Sequence, residues 1–301
     1  MTIFRLCFFL LLIGIKTSIA SNSKIPFEIA GKMILLKATV GGETGNFILD
    51  TGVSDLLLNS KYFKGKPGSK VFYGINGEIG QLAVSHVTLQ IDENQWNNVY
   101  AEVIPMQALE DSKGFPIHGL IGTTVFRQYL LLIDFDRLEI ELQSYEKNGE
   151  STGILIGGLP NEILPFKYKG GTPLVTVYAG EKELKLTIDT GAEINLFADK
   201  LLSELGSQLE QMRQRSVGGL GQVVNVTTVG ILKGLRMESL FLADMNTAFS
   251  SLTHYNIYAG GPEADGILGY EFLSQFRVAF NFKKREIYLW KREPVLLAVE
   301  K

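Results

Sequence analysis

Phe47-Ile48-Leu49-Asp50-Thr51-Gly52 and Leu186-Thr187-Ile188-Asp189-Thr190-Gly191 set one tripeptide behind an apolar run at two places in the chain. Taken singly, Asp-Thr-Gly in that position is an ordinary strand end followed by a turn. The surroundings of the two copies also correspond. Asp50 lies 72 residues ahead of Gly122, which ends Leu120-Ile121-Gly122, and Asp189 lies 80 ahead of Gly269, which ends Ile267-Leu268-Gly269. From Asp50 to Asp189 is 139 residues, and from Gly122 to Gly269 is 147. The offset of 147 also lays Asp134-Phe135-Asp136-Arg137-Leu138-Glu139-Ile140 on Asn281-Phe282-Lys283-Lys284-Arg285-Glu286-Ile287. Self-similarity in this order means two homologous halves, and it decides the architecture before any local reading does.

Within each half the apolar residues fall in short alternating runs broken by Gly, Asn and Lys: Met33 to Val40, Phe47 to Leu49, Val84 to Ile91, Val99 to Ile104 and Leu130 to Phe135. Such runs are strand signals separated by turn signals, so the fold is expected to be all-β with few short helices. Short helices are expected after each glycine-ended motif, at Thr123 to Gln128 and Tyr270 to Gln275. From Asp199 to Arg213 the residues Leu201, Leu202, Leu205, Leu209 and Met212 recur at helical spacing. That stretch predicts an amphipathic surface helix with its stripe toward the core. The polar stretch Lys147-Asn148-Gly149-Glu150-Ser151 marks the boundary between halves.

The chain of 301 residues is 46% hydrophobic and 20% charged, the composition of a globular protein with a real core. A net charge of -3 without a basic patch argues against nucleic acid as a partner. The first twenty residues differ from the rest: a positive charge at Arg5, an apolar run from Leu6 to Ile15, and Ser18-Ile19-Ala20 as a small-residue cleavage site. They predict an export signal, with a periplasmic or secreted mature protein and an uncleaved membrane anchor as the minor alternative. The only cysteine, Cys7, lies within that segment, which leaves the mature chain without an internal disulfide. The predicted division is therefore 1–20 signal, 21–147 first lobe, 148–160 linker and 161–301 second lobe.

Two carboxylates at equivalent strand ends of two lobes can be aimed at each other. Held about 3 Å apart they cannot both ionise, so they share a proton and titrate as a pair. One member then takes a proton from a water while the other polarises a carbonyl oxygen. That chemistry hydrolyses an amide with no metal, cofactor or side-chain nucleophile. The glycines Gly52 and Gly191 let the backbone turn tightly at the carboxylates, and the hydroxyls of Thr51 and Thr190 can bond across the junction.

On these residues, with Gly119-Leu120-Ile121-Gly122 and Asp265-Gly266-Ile267-Leu268-Gly269, the chain resembles the aspartic proteases, of the retropepsin-like kind with both lobes fused in one polypeptide. The resemblance runs from about Phe27 to Trp290. It implies a bilobal fold of two homologous β-barrel lobes with a cleft between them, Asp50 and Asp189 as the catalytic dyad, and Thr51 and Thr190 as an interlobe grip. It also implies a polypeptide substrate, and a monomer is expected. β-hairpin flaps cover the cleft in this family, and each half has a candidate: Tyr73-Gly74-Ile75-Asn76-Gly77, whose Asn-Gly is a hairpin dipeptide, and Gly218-Gly219-Leu220-Gly221. Tyr73, Gly74, Ile75, Gly219 and Leu220 are thus expected at the substrate. Glu193 stands where retropepsins place an acid that contacts substrate backbone, whereas its counterpart is Ser54.

Pepsin-type enzymes carry a hydroxyl residue directly after the tripeptide, and this chain has Val53 and Ala192. Fewer donors near the dyad favour its protonated form, so activity is expected to reach toward neutral pH. His86, His118 and His254 have no ligand spacing, and no metal is expected. His118 occupies the place of Asp265 and reads as a structural hydrogen-bonding residue. The alternative function is a peptide-binding protein that keeps the cleft without turnover.

Overall fold

The structure, a computed structural model, describes residues 22–74, 77–151, 158–218, 220, 225–258 and 263–292. The predicted export signal with Cys7, and Ile75, Asn76, Gly219 and Gly221 of the flap candidates, lie outside these. The described chain is mostly β, with five short helices, and forms two β-rich lobes. Every run expected as strand lies in one, from Met33–Val40 to Tyr129–Asp134, except that Phe135 at the end of the last run falls in the turn.

The two lobes repeat one strand order. In the first it runs Met33–Val40, Glu43–Leu49, Gly119–Ile121, Leu56–Asn59, Asn94–Ile104, Gly77–Ile91, Lys66–Gly74. In the second it runs Thr172–Ala179, Lys182–Ile188, Gly266–Leu268, Asn195–Ala198, Met245–Ser250, Asn225–Leu232, Leu209–Val217. In both, the strand leading into Asp-Thr-Gly lies parallel to the glycine-ended strand, with Phe47 opposite Gly119 and Leu186 opposite Gly266. Such a pairing needs a long crossover, which is why the motifs stand so far apart in sequence.

A third sheet of six strands takes three from each lobe, in the order Asn22–Pro26, Glu139–Ser144, Tyr129–Asp134, Phe276–Asn281, Glu286–Lys291, Glu162–Pro165. Its seam is the antiparallel pairing of Leu130 to Ile133 with Asn281 to Val278. The repeated seven-residue motif supplies the two hairpin turns of this sheet. In the first, Asp134 Oδ1 accepts the backbone N-H groups of Asp136 and Arg137; in the second, Asn281 Oδ1 accepts that of Lys284. Leu138 and Arg285 take positive φ at equivalent places, 55° and 58°.

Strand alternation divides the apolar residues between two compartments. Ile34, Leu36, Phe47 and Leu49 enter a main core that continues through both lobes. Met33, Leu35 and Ile48 point the other way, into a separate cluster with Leu57, Leu109 and Leu120.

The helix expected over Asp199 to Arg213 is corrected by the structure. Its start is a four-residue helix, Leu201–Glu204, followed by a 3-10 turn at Gly206–Gln208, and the rest is the strand Leu209–Val217. Leu201, Leu205 and Leu209 are buried as expected, but from the short helix, the junction between it and the 3-10 turn, and the strand, and Met212 is 59% exposed. The pairing of this strand slips between Glu210 and Arg213, where Gln211 has φ 51°, and the bulge sets an apolar residue outward at what looked like a helical interval.

Candidate active site

Each candidate aspartate is placed by backbone bonds at the end of its strand. The Asp50 N-H donates to Ile121 O at 3.0 Å and the Asp189 N-H to Leu268 O at 2.9 Å, so each residue is tied to the glycine-ended strand beside it. Gly122 and Gly269 have no side chain because the opposite turn passes through that space. A Cβ on Gly122 would come within 2.7 Å of Ser54 C, and one on Gly269 within 2.9 Å of Ala192 Cβ.

Beneath the pair the threonines exchange four buried hydrogen bonds across the lobe junction. The Thr51 N-H donates to Thr190 Oγ1 at 2.9 Å and the Thr190 N-H to Thr51 Oγ1 at 3.0 Å. Thr51 Oγ1 donates onward to Ile188 O at 2.9 Å, and Thr190 Oγ1 to Leu49 O at 2.7 Å. Each hydroxyl is thus acceptor and donor at once, with both bonds ending on the other lobe.

The carboxyls of Asp50 and Asp189 are hydrogen-bonded to each other. Asp50 Oδ1 accepts the Gly52 N-H and Asp189 Oδ1 the Gly191 N-H, both at 2.8 Å. Each glycine lies against the carboxylate of the other lobe; a Cβ on Gly191 would sit 2.6 Å from Asp50 Cγ. Burial pushes the Asp50 carboxyl well above the usual carboxylate range, and the neighbouring Asp189 charge pushes it further. Asp189 is also raised by burial, against the hydrogen bonds that favour its charged form. Both carboxyls are thus pushed toward their protonated forms by burial, and two such groups in contact titrate as a pair rather than singly. Val53 and Ala192 bring no hydroxyl to it.

The candidate flaps are hairpins in the structure. Tyr73, half-buried, pairs with Glu78, and Gly74 with Gly77, at the end of the hairpin of Lys66–Gly74 and Gly77–Ile91. In the second lobe Leu209–Val217 pairs with Asn225–Leu232, and Leu220 from between them packs on the first lobe's Met33/Ile48 cluster beside Val53 and Phe72. The first hairpin in turn meets the Thr253–Tyr258 helix of the second lobe. Glu193 pairs with Lys113 of the first lobe at 2.7 Å and lies beside Gly31, so its carboxylate bridges the lobes.

His118 serves to hold structure. Its Nδ1 accepts the Asn46 N-H at 3.2 Å, its ring stacks on Tyr62 with centroids 4.1 Å apart, and burial lowers its pKa. Asp265, at the equivalent place, accepts the Lys185 N-H at 3.0 Å. Among the described residues no group of three His, Cys, Asp or Glu gathers as a metal site. Nor, among them, is any helix long and apolar enough to cross a membrane.

Three residues near the dyad, Tyr255, Thr172 and Lys169, carry no motif and were not anticipated. Tyr255 donates its hydroxyl to Thr187 Oγ1 at 3.2 Å, and Thr172 Oγ1 donates to Gly52 O at 3.1 Å, in the turn of Asp50. The Lys169 ammonium lies 5.4 Å from the centre of the Tyr255 ring. Burial, aided by both aspartate charges, pushes the Tyr255 pKa up to about 12.

Two β lobes meeting at paired strand-end carboxyls, with crossed threonine hydroxyls beneath, have the architecture of a bilobal aspartic protease. The family model described as aspartyl protease matches residues 36–125 and 175–272, one match in each lobe, and the chain belongs to that family. No curated protein matches the chain.

Proposed function

We propose that the protein is an exported aspartic endopeptidase, with Asp50 and Asp189 as its catalytic pair. The observation that carries this reading is geometric: two buried carboxyls, each held by the N-H of its own glycine and each against the glycine of the other lobe, meet at the junction of the lobes, where burial shifts both upward. A structural pair would be replaced by apolar residues at no loss, whereas a general acid and base require this arrangement.

In the proposed reaction a water lies between the carboxyls. The ionised member removes its proton as the oxygen adds to the peptide carbonyl carbon, while the protonated member hydrogen-bonds the carbonyl oxygen. The tetrahedral diol then breaks its C-N bond as a carboxyl proton passes to the leaving nitrogen. One carboxyl of the pair is protonated at the start and the other ionised. Gly52 and Gly191 direct their N-H groups at Oδ1 of Asp50 and Asp189, Thr51 and Thr190 fix the turns, and no metal or cofactor takes part. Tyr73, Gly74, Ile75, Gly219 and Leu220 belong to the two covering hairpins, and Glu193 to the substrate's edge. Residues 1–20 are the export signal, 21–147 and 161–301 the lobes, and 148–160 their linker; the mature protein acts as a monomer in the periplasm or outside the cell.

The test is cleavage of a denatured protein pool across pH by the mature protein, with and without pepstatin, beside Asp50→Asn and Asp189→Asn. Either substitution is expected to lower the rate by about a thousandfold or more. With no hydroxyl at Val53 or Ala192, activity is expected to extend toward neutral pH; a profile confined to about pH 2 to 3 would count against that part. Equal cleavage by all three proteins would sink the assignment, and cleavage by none would leave a peptide-binding protein.

A further inference from the structure

The lobes are built alike, but the walls beside their aspartates are not. Position for position at the offset of 139, Ala30, Met33 and Ile48 of the first lobe correspond to Lys169, Thr172 and Thr187 of the second. Leu109 and Tyr255 correspond as third residues of the helices Gln107–Lys113 and Thr253–Tyr258. The register of those helices is fixed by their next residues: Glu110 Oε1 accepts the Ile117 N-H, and Asn256 Oδ1 the Ala264 N-H, each at 2.9 Å.

All four first-lobe residues belong to the apolar cluster on the sheet face away from the main core, under Leu220 of the opposite hairpin. All four second-lobe residues are polar, on the corresponding face. Thr187 alternates with Leu186 and Ile188, which enter the main core, as Ile48 alternates with Phe47 and Leu49. The opposite hairpin covers this side too, since the strand Lys66–Gly74 lies on the Thr253–Tyr258 helix. Each compartment therefore sits between an aspartate and a hairpin, where a side chain flanking the scissile bond would lodge once the hairpins lift.

We propose that the second-lobe compartment, made by Lys169, Thr172, Thr187 and Tyr255, is a subsite for an acidic side chain, opposite a first-lobe subsite for an apolar one. The preferred substrate then joins an apolar residue to a glutamate or aspartate at the cleaved bond. This rests on the peptidase reading and adds the substrate class. The hydroxyls of Tyr255, Thr172 and Thr187 donate within the protein, to Thr187 Oγ1, Gly52 O and Gly266 O, and would turn from those acceptors to meet a ligand; an ammonium can only donate, so the set suits a group with several acceptor lone pairs. Lys169 is fully buried, and burial draws its pKa below the usual lysine range. Glu263 is the acid that opposes this shift from nearby. A carboxylate entering the compartment would gain a charge-assisted partner that water does not screen.

The experiment measures binding to the full-length Asp50→Asn protein by fluorescence anisotropy, with peptides of one scaffold holding Phe-Glu or Glu-Phe at the centre, against norleucine in place of glutamate. Cleavage of the same peptides by the unsubstituted protein is followed in parallel. In one orientation glutamate is expected to bind about tenfold tighter than norleucine, as one charge-assisted hydrogen bond would give. That ratio is expected to fall to about one in Asp50→Asn combined with Lys169→Met, and to fall partway with Tyr255→Phe, which keeps the ring. No preference for glutamate in either orientation, or a preference that survives both substitutions, overturns the proposal. A preference for glutamate without cleavage overturns the peptidase reading and leaves the subsite standing.

Discussion

Each threonine hydroxyl in the grip is acceptor and donor together, so removing one orphans two buried groups. Replacing Thr190 by Val frees the Thr51 N-H and Leu49 O from their partners at 2.9 and 2.7 Å. Unsatisfied buried groups cost about 1–3 kcal/mol each. Thr190→Val is therefore expected to lose about 2–5 kcal/mol in urea unfolding, while Thr190→Ser, which keeps the oxygen, stays within about 1–2 kcal/mol of the parent. A loss in Thr190→Ser with none in Thr190→Val would mean that the methyl, not the hydroxyl, carries the contribution. The aspartates act on stability in the opposite sense. A carboxyl whose folded pKa lies above its unfolded value, near 3.9 for aspartate, binds more protons when folded across the interval between the two. Stability then falls as pH rises through that interval, and the full cost is present above it. Burial and the Asp189 charge raise Asp50 in this way, and Asn at that position has no proton to lose. Asp50→Asn is expected to match the parent near pH 3 and to exceed it in melting temperature by a margin that widens toward pH 7. A margin that is flat or shrinks with pH would show that the pair is not held protonated by its surroundings.

Among the elements, the two hairpins and the strands behind the aspartates have different sequence signatures, and they were not equally legible. The strand ends were plain because alternation, tripeptide and spacing agree at Asp50 and Asp189. The hairpins were visible as glycine-rich turns at Gly74 and Gly218, but nothing in those turns says that Leu220 packs on the other lobe. That contact is expected to hold the second hairpin down. Putting a charge on it, as Leu220→Asp, sets a carboxylate against the apolar cluster of Met33, Leu35 and Ile48. With a half-buried leucine worth on the order of 1–2 kcal/mol, the inhibition constant for pepstatin should rise about tenfold, and the melting temperature should hold because the main core is untouched. An unchanged inhibition constant would take Leu220 out of the proposed flap. Misreading Asp199 to Arg213 has the same root as the silence about Leu220. Leucines at helical intervals can be gathered by successive elements when a turn and a bulge intervene, and single-chain periodicity does not see the pairing that causes it. Lys169 and Tyr255 were invisible for a third reason: they stand 20 residues before and 66 after Asp189, and only the fold brings them to one face.

At the scale of the molecule, the lobes share a sheet and a core and do not stand as separate units. The seam joins Leu130 to Ile133 of the first lobe to Val278 to Asn281 of the second. On one face of it Leu131, Ile133, Val278 and Phe280 enter the core common to both lobes, and on the other Leu130, Leu132, Ala279, Tyr288 and Trp290 form a cluster of their own. The segment after the first lobe is tied to the second by Asn281 Nδ2 donating to Gly149 O and by the Lys284 to Glu150 pair. In the other direction Arg292 reaches back to Asp136. The proposed dyad, assembled from both lobes, needs this coupling, because a shift of either lobe would separate the two carboxyls. Coupling through one continuous sheet predicts a single cooperative unfolding transition, although the chain is long enough for two domains. The two tryptophans report separately: Trp96 packs on Phe126 within the first lobe, and Trp290 lies in the shared sheet with its Nε1 bonded to Gly158 O. Urea curves followed by fluorescence in Trp290→Phe, which leaves Trp96, and in Trp96→Phe, which leaves Trp290, are expected each to coincide with circular dichroism in the same protein. The calorimetric and van't Hoff enthalpies of the unsubstituted protein should also agree. An early transition seen by Trp290 alone would mean that the seam opens before the lobes unfold. Cleavage would then be lost at that lower denaturant concentration, with both lobes still folded.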